Sequence, residues 1–79
     1  MITGNQLRLL RTLKNIDQAG LARMLGKSQQ YISRIEGLGD NKIPLYWFNK
    51  IVTELDCSEA ELVSIRNITP PPLNIRNFL

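Results

Sequence analysis

The chain has 79 residues, 43% of them hydrophobic and 22% charged, a balance that suits one small folded domain and excludes a disordered or fibrous chain. A chain of this size buries only about 60–65% of the surface it exposes when unfolded, so modest stability is expected unless it dimerises. It holds no histidine and one cysteine, which rules out an internal disulfide, gives no metal-ligand cluster, and makes cytoplasmic residence the expected setting.

No run of about 18 apolar residues occurs, the length a membrane-crossing helix needs, so no membrane span is expected. The first residues lack the basic-then-apolar pattern of a secretory signal. Ten Lys and Arg against seven Asp and Glu leave a net charge of +3, too little by itself to name a partner. The distribution says more. Residues 1–42 hold seven basic and three acidic side chains, residues 43–79 three basic and four acidic. A basic front half suits contact with phosphate on one side of the molecule.

Helical periodicity recurs along the chain, and no stretch alternates like a long strand. The first helix is expected over residues 3 to 14, with Thr3 as its N-cap and Leu7, Leu10 and Leu13 as its apolar stripe. Arg8 and Lys14 are expected in solvent, Lys14 within reach of a phosphate. Ile16 should pack as a hydrophobic staple ahead of Asp17, the N-cap of a second helix. That helix starts at Gln18 and turns Leu21, Ala22 and Leu25 inward. Gly20 within it costs about 1 kcal/mol against alanine, with no functional reason in the sequence. Gly26 stops the helix where a side chain would resist positive φ.

Ser28 can cap a third helix by accepting from a backbone N–H of its first turn. Ile32 and Ile35 point inward from it. Gln29, Gln30, Ser33 and Arg34 are left outside, and these are side chains able to read base edges, glutamine on adenine and arginine on guanine. Residues 37–42 form a loop by composition. Pro44 suits the first turn of a fourth helix, whose core face is Leu45, Phe48, Ile51, Val52 and Leu55. Tyr46 and Trp47 lie on its flank, where aromatic side chains suit a dimer interface or a docked tail. Ser58 and Glu61 make a capping box for a fifth helix ending near Arg66, and Leu62 and Ile65 close the core. Beyond it, residues 67–79 form a tail that Pro70, Pro71 and Pro72 hold extended. Its apolar end, including Phe78, suits packing on Tyr46 and Trp47 or binding of a second protein.

The spacing of Gln18, Leu21, Ala22, Leu25, Gly26, Ile32 and Ile35 resembles the helix-turn-helix of Cro/cI-type phage repressors and their prokaryotic relatives, the XRE-type family. The run from Ser28 to Ile32 is similar to the start of a lambdoid recognition helix. The likeness extends over roughly residues 4 to 66, with the helix-turn-helix itself at about 18–37. It implies an all-α, five-helix lambda repressor-like domain over residues 1–66. It further implies an ion pair between Arg11 and Glu36, and a Gln18 that bonds a phosphate while bracing Gln29. Phosphate contacts from Asn41 and Lys42 are implied as well, and a small core-filling role for Cys57. Lys27, in the turn, is a further phosphate candidate, and Ser28 and Tyr31 suit contact with the DNA backbone or a thymine methyl group.

The function that follows is sequence-specific binding of double-stranded DNA by a homodimeric repressor, on a palindromic operator, without cofactor or catalysis. A lone cysteine with no base is no nucleophile. Glu54, Asp56, Glu59 and Glu61 read as a solvated acidic patch. Two other readings compete: an antitoxin-type autorepressor that also binds a toxin protein through its tail, and a helix-turn-helix used only for protein contact.

Overall fold

A computed structural model describes residues 1–68 of the chain; the proline run and Phe78 lie outside the described residues. Five helices follow one another: α1 (Gly4–Leu13), α2 (Gln18–Leu25), α3 (Gln29–Glu36), α4 (Leu45–Glu54) and α5 (Glu59–Ile68). Among the described residues the only β-type pairing is one antiparallel bridge, Thr3 to Lys42. The fold is all-α.

The start of α1 shows how closely the pieces are fitted. A helix leaves its first N–H groups without intrahelical partners, and burial makes each of them costly. Here Gly4 N–H donates to the Asn41 carbonyl at 3.1 Å and Asn5 N–H to that of Gly39 at 2.9 Å. Gln6 N–H donates to Thr3 Oγ1, and Gln6 Oε1 accepts from Thr3 N–H, closing a capping box. The loop after α3 thus serves as the cap of α1. Such an approach needs a residue without a side chain. A Cβ on Gly4 would lie 2.6 Å from the Ile35 carbonyl oxygen and 2.7 Å from that of Glu36.

The helices α2, α3 and α5 begin on side-chain caps. Asp17 accepts from Gly20 N–H at 2.7 Å, Ser28 from Tyr31 N–H at 3.1 Å, and Ser58 with Glu61 forms a reciprocal box. Gly26 ends α2 at φ 69 and Gly39 turns the chain after α3 at φ 63. Asn15 and Asp56 take the same left-handed conformation after α1 and α4, a region Asn and Asp tolerate better than other side-chain-bearing residues.

The core gathers Leu7, Leu10, Leu21, Ala22, Leu25, Ile32, Ile35, Ile51, Leu55, Leu62 and Ile65, together with Ile2 and Ile43. These last two were not expected inside. Ile43 N–H donates to the Ile2 carbonyl at 2.9 Å, so the two short extended segments close one end of the bundle. They also shift α4. The chain stays extended through Pro44, at ψ 141, which therefore caps α4 instead of entering its first turn. The expected stripe on α4 is corrected at one end as well. Leu45 is 58% exposed, while Trp47 packs against the core with Phe48 and Val52. The spacing of four from Trp47 to Ile51 to Leu55 accounts for this, because Leu45 falls off that line. Leu13 is likewise 54% exposed, well round the helix from Leu7. The helix α5 continues two residues past Arg66, to Ile68.

Cys57 is half-buried against the core as a free thiol, and burial pushes its pKa up. Lys14, expected in solvent, instead pairs with Glu61 at 3.0 Å and donates to the Asp56 carbonyl at 3.3 Å, tying α1 to the start of α5.

Two glycine substitutions separate steric need from helix propensity. Gly4→Ala should destabilise by about 1–3 kcal/mol, because the new methyl group meets backbone carbonyls that cannot rotate away. Gly20→Ala meets only the side chains of Asp17 and Ile16, at 3.0 and 3.2 Å. It should shift stability by less than about 1 kcal/mol, the strain being offset by better helix propensity. Urea denaturation of the two variants beside the unaltered chain checks the order, and an equal effect of both would refute it.

Candidate nucleic-acid interface

The helix α3 divides into two sets of side chains. Ile32, Ile35 and Glu36 are buried. Gln29, Gln30, Ser33 and Arg34 are exposed. The outward set contains no carboxylate, since the only acidic side chain on α3 is the buried one. Acidic residues collect instead at Glu54, Asp56, Glu59 and Glu61, around the end of α4 and the start of α5.

Glu36 is the centre of a polar hub. Its side chain is fully buried, and Arg11 meets it with two prongs, Nε to Oε2 at 2.7 Å and Nη2 to Oε1 at 3.1 Å. The third guanidinium nitrogen of Arg11, Nη1, donates to the Ile16 carbonyl at 3.0 Å. Gln18 Nε2 donates to Glu36 Oε1 at 3.0 Å, and Arg8 Nε lies 3.5 Å from the same oxygen. A planar guanidinium matches a carboxylate in this fork geometry. Burial pushes the Glu36 carboxyl upward, but the bonds from Arg11 and Gln18 and the nearby arginine charges override it and hold it below its ordinary value of 4.5. The same bond raises Arg11. One carboxylate therefore ties α1, the α1–α2 turn and α2 to the last residue of α3.

The hub reassigns Gln18. The resemblance placed it against Gln29, yet its amide nitrogen is committed to Glu36. An amide nitrogen carries two hydrogens, so one of them and the carbonyl oxygen are left for an outside group. Gln18 still borders the outward face of α3, lining a shallow cleft of about 320 Å³ with Gln29, Gln30 and Ser33.

The flanking residues differ in how free they are. Ser28 Oγ accepts from Tyr31 N–H, leaving its own hydrogen to donate. Lys42 is exposed beside the bridge to Thr3. Asn41 Nδ2 donates to the Leu38 carbonyl at 3.1 Å, so this amide is partly spent on its own loop. Tyr31 departs furthest from expectation. Its ring is half-buried against Trp47 in an edge-to-face contact, centroids 5.6 Å apart, with Lys27 Nζ 5.0 Å from its centroid and Arg34 Cζ 5.7 Å. Lys27 Nζ also lies 5.4 Å from the Trp47 centroid, and Tyr46 stacks edge-on against Trp47 at 5.0 Å. Tyr46 itself is exposed. The role of Trp47 as a partner of α3 was missed, although the aromatic flank of α4 was the signal for it.

Among the described residues no cluster of His, Cys, Asp and Glu is placed to hold a metal ion. No helix there is long and apolar enough to cross a membrane. The family model described as helix-turn-helix matches residues 7–36, less than half of the chain, from within α1 to the end of α3. No curated protein and no solved structure matches the chain.

The hub has a pH signature with a defined sign. The folded Glu36 carboxyl titrates below its ordinary value, so its contribution is complete above the unfolded value and lost as pH falls through the folded one. Glu36→Gln should cost about 2–4 kcal/mol near neutral pH, less than a fully dry pair would, because Arg11 keeps some contact with solvent. The stability gap between Glu36→Gln and the unaltered chain should therefore narrow as pH drops below about 4.5. Thermal melts from pH 7 to pH 3 check this, and a gap independent of pH would show that the carboxylate charge is not what holds the helices.

Proposed function

From the match of residues 7–36 to the helix-turn-helix model, together with the Cro/cI-type resemblance of the sequence, we propose that the chain is a cytoplasmic, sequence-specific regulator that binds double-stranded DNA as a dimeric repressor. The observation that carries this reading is the division of α3: a buried, triply bonded Glu36 anchors the helix, while Gln29, Gln30, Ser33 and Arg34 stand exposed with no exposed carboxylate on the helix beside them. In this reading α3 enters the major groove and α2 crosses the sugar–phosphate backbone. Gln29 and Gln30 offer paired donors and acceptors to adenine, Arg34 a fork to guanine, and Ser33 a single hydroxyl.

Gln18, Lys27, Ser28 and Lys42 surround this ridge and take the phosphates, with the remaining amide hydrogen of Asn41 beside them. Phosphate contacts set register and give most of the affinity, whereas base edges give the choice of site. Two copies would engage half-sites about one helical turn, roughly 34 Å, apart and block polymerase sterically. Leu45 and Tyr46, adjacent and exposed at the start of α4, support this surface as the seat of the second copy.

Selection from a random duplex library at fixed salt tests the proposal, with an enriched palindrome as the expected result. Gln29→Ala and Arg34→Ala should each relax one position of that palindrome at a cost of about 1–3 kcal/mol. Lys42→Gln should weaken all sequences alike and flatten the salt slope by about one. If no sequence is enriched, or if site choice survives both α3 substitutions, the reading fails.

A further inference from the structure

The cations of this molecule fall into groups according to their partners. Arg8, Arg11 and Lys14 are matched with carboxylates and serve the fold. Lys27 and Arg34 have neither a carboxylate nor a hydrogen-bond partner among the described residues, and both lie over aromatic rings instead. Tyr31 and Arg34, three apart, share one flank of α3, and Lys27 reaches the same ring from the turn just before the helix. Trp47 comes up beneath that flank from α4, half-buried and steadied by an edge-on Tyr46. The result is a shelf of rings with two cations close to Tyr31, Lys27 Nζ at 5.0 Å and Arg34 Cζ at 5.7 Å from its centroid.

We propose that Tyr31 and Trp47 are positioning residues for nucleic-acid binding, fixing Lys27 and Arg34 in place for an incoming strand without themselves touching it. This rests on the DNA-binding reading and assigns to two residues of the aromatic flank a part in it. The chemistry favours a ring over a carboxylate for this purpose. A π face attracts a cation through its quadrupole but leaves the charge whole. An ion pair would tie up the charge that Lys27 must offer a phosphate and the fork that Arg34 must offer a guanine edge. Holding a long side chain still before binding also removes the entropy cost of fixing it afterwards. The shelf lies on the α4 side of α3, so it serves the wall of the groove on that side.

The test uses the full chain and a fluorescently labelled mixed-sequence duplex, titrated at several salt concentrations from about 50 mM upward. Tyr31→Leu keeps an apolar group against the core and removes the ring. It should weaken binding about tenfold at low salt and flatten the salt slope by about one. Tyr31→Phe, which removes only the hydroxyl, should restore affinity to within about twofold of the unaltered chain, because the face that attracts the cation is kept. In a chain already carrying Lys27→Gln and Arg34→Gln, Tyr31→Leu should add less than about twofold, since the groups it positions are gone. Trp47→Met is the second variant, expected to couple to Lys27→Gln in the same way. Trp47 is the only tryptophan, so Lys27→Gln should also alter its emission with no DNA present.

Full affinity and slope in Tyr31→Leu would overturn the inference. So would a Tyr31→Phe as weak as Tyr31→Leu, an undiminished Tyr31→Leu effect in the double-glutamine chain, or an unaltered Trp47 emission in Lys27→Gln. All four leave DNA binding itself standing. If the unaltered chain binds no duplex in a salt-dependent way, the proposed function falls and takes this inference with it.

Discussion

A carboxylate removed from water is costly unless every oxygen is met, and Glu36 is met from three directions. Arg11 brings two nitrogens, Gln18 a third, and Arg8 stands just outside bonding range. Because the groups come from α1, α2 and α3, the helices must reach their mutual orientation together for the charge to be satisfied at all. Hydrophobic burial alone tolerates sliding and repacking. A forked guanidinium on a buried carboxylate does not, since a small displacement leaves a charge unpaired. The contribution of this hub is best regarded as one of geometry, with desolvation offsetting much of its attraction.

The C-terminal end of α3 is held a second time, by backbone. Its last carbonyls face Gly4, and the loop beyond it caps the first N–H groups of α1. The helix α3 is thus gripped at its end by a carboxylate on one side and by a bare stretch of main chain on the other. At its beginning the constraint is different in kind: a serine cap, and rings packed from α4.

The parts of this arrangement that were legible from residues are those with local causes. Gly26, Asp17, Ser28 and the Ser58–Glu61 box each act within a few positions of themselves, and helical spacing marks Leu7, Leu21, Ile32 and Ile51 as inward. What escaped depends on contacts between distant segments. Ile2 and Ile43 are buried only because their two strand-like pieces meet, and nothing within either piece signals that. Leu45 satisfied a plausible spacing, but the line through Trp47, Ile51 and Leu55 was the one the packing used. Gln18 was assigned a partner by resemblance, whereas hydrogen-bond satisfaction of Glu36 claimed its nitrogen first. Tyr31 looked like an outward polar contact because the face of α4 that meets it could not be oriented from sequence.

The separation of α3 into an anchored face and an outward face has an evolutionary consequence. The residues that keep the helix in place share no position with Gln29, Gln30, Ser33 and Arg34. In the proposed reading, exchanging that outer quartet would change what is recognised while leaving the folding free energy nearly untouched. Such a scaffold lets new targets arise by single substitutions, each tried out against an unchanged frame, so duplicated copies could diverge in preference long before they diverge in shape.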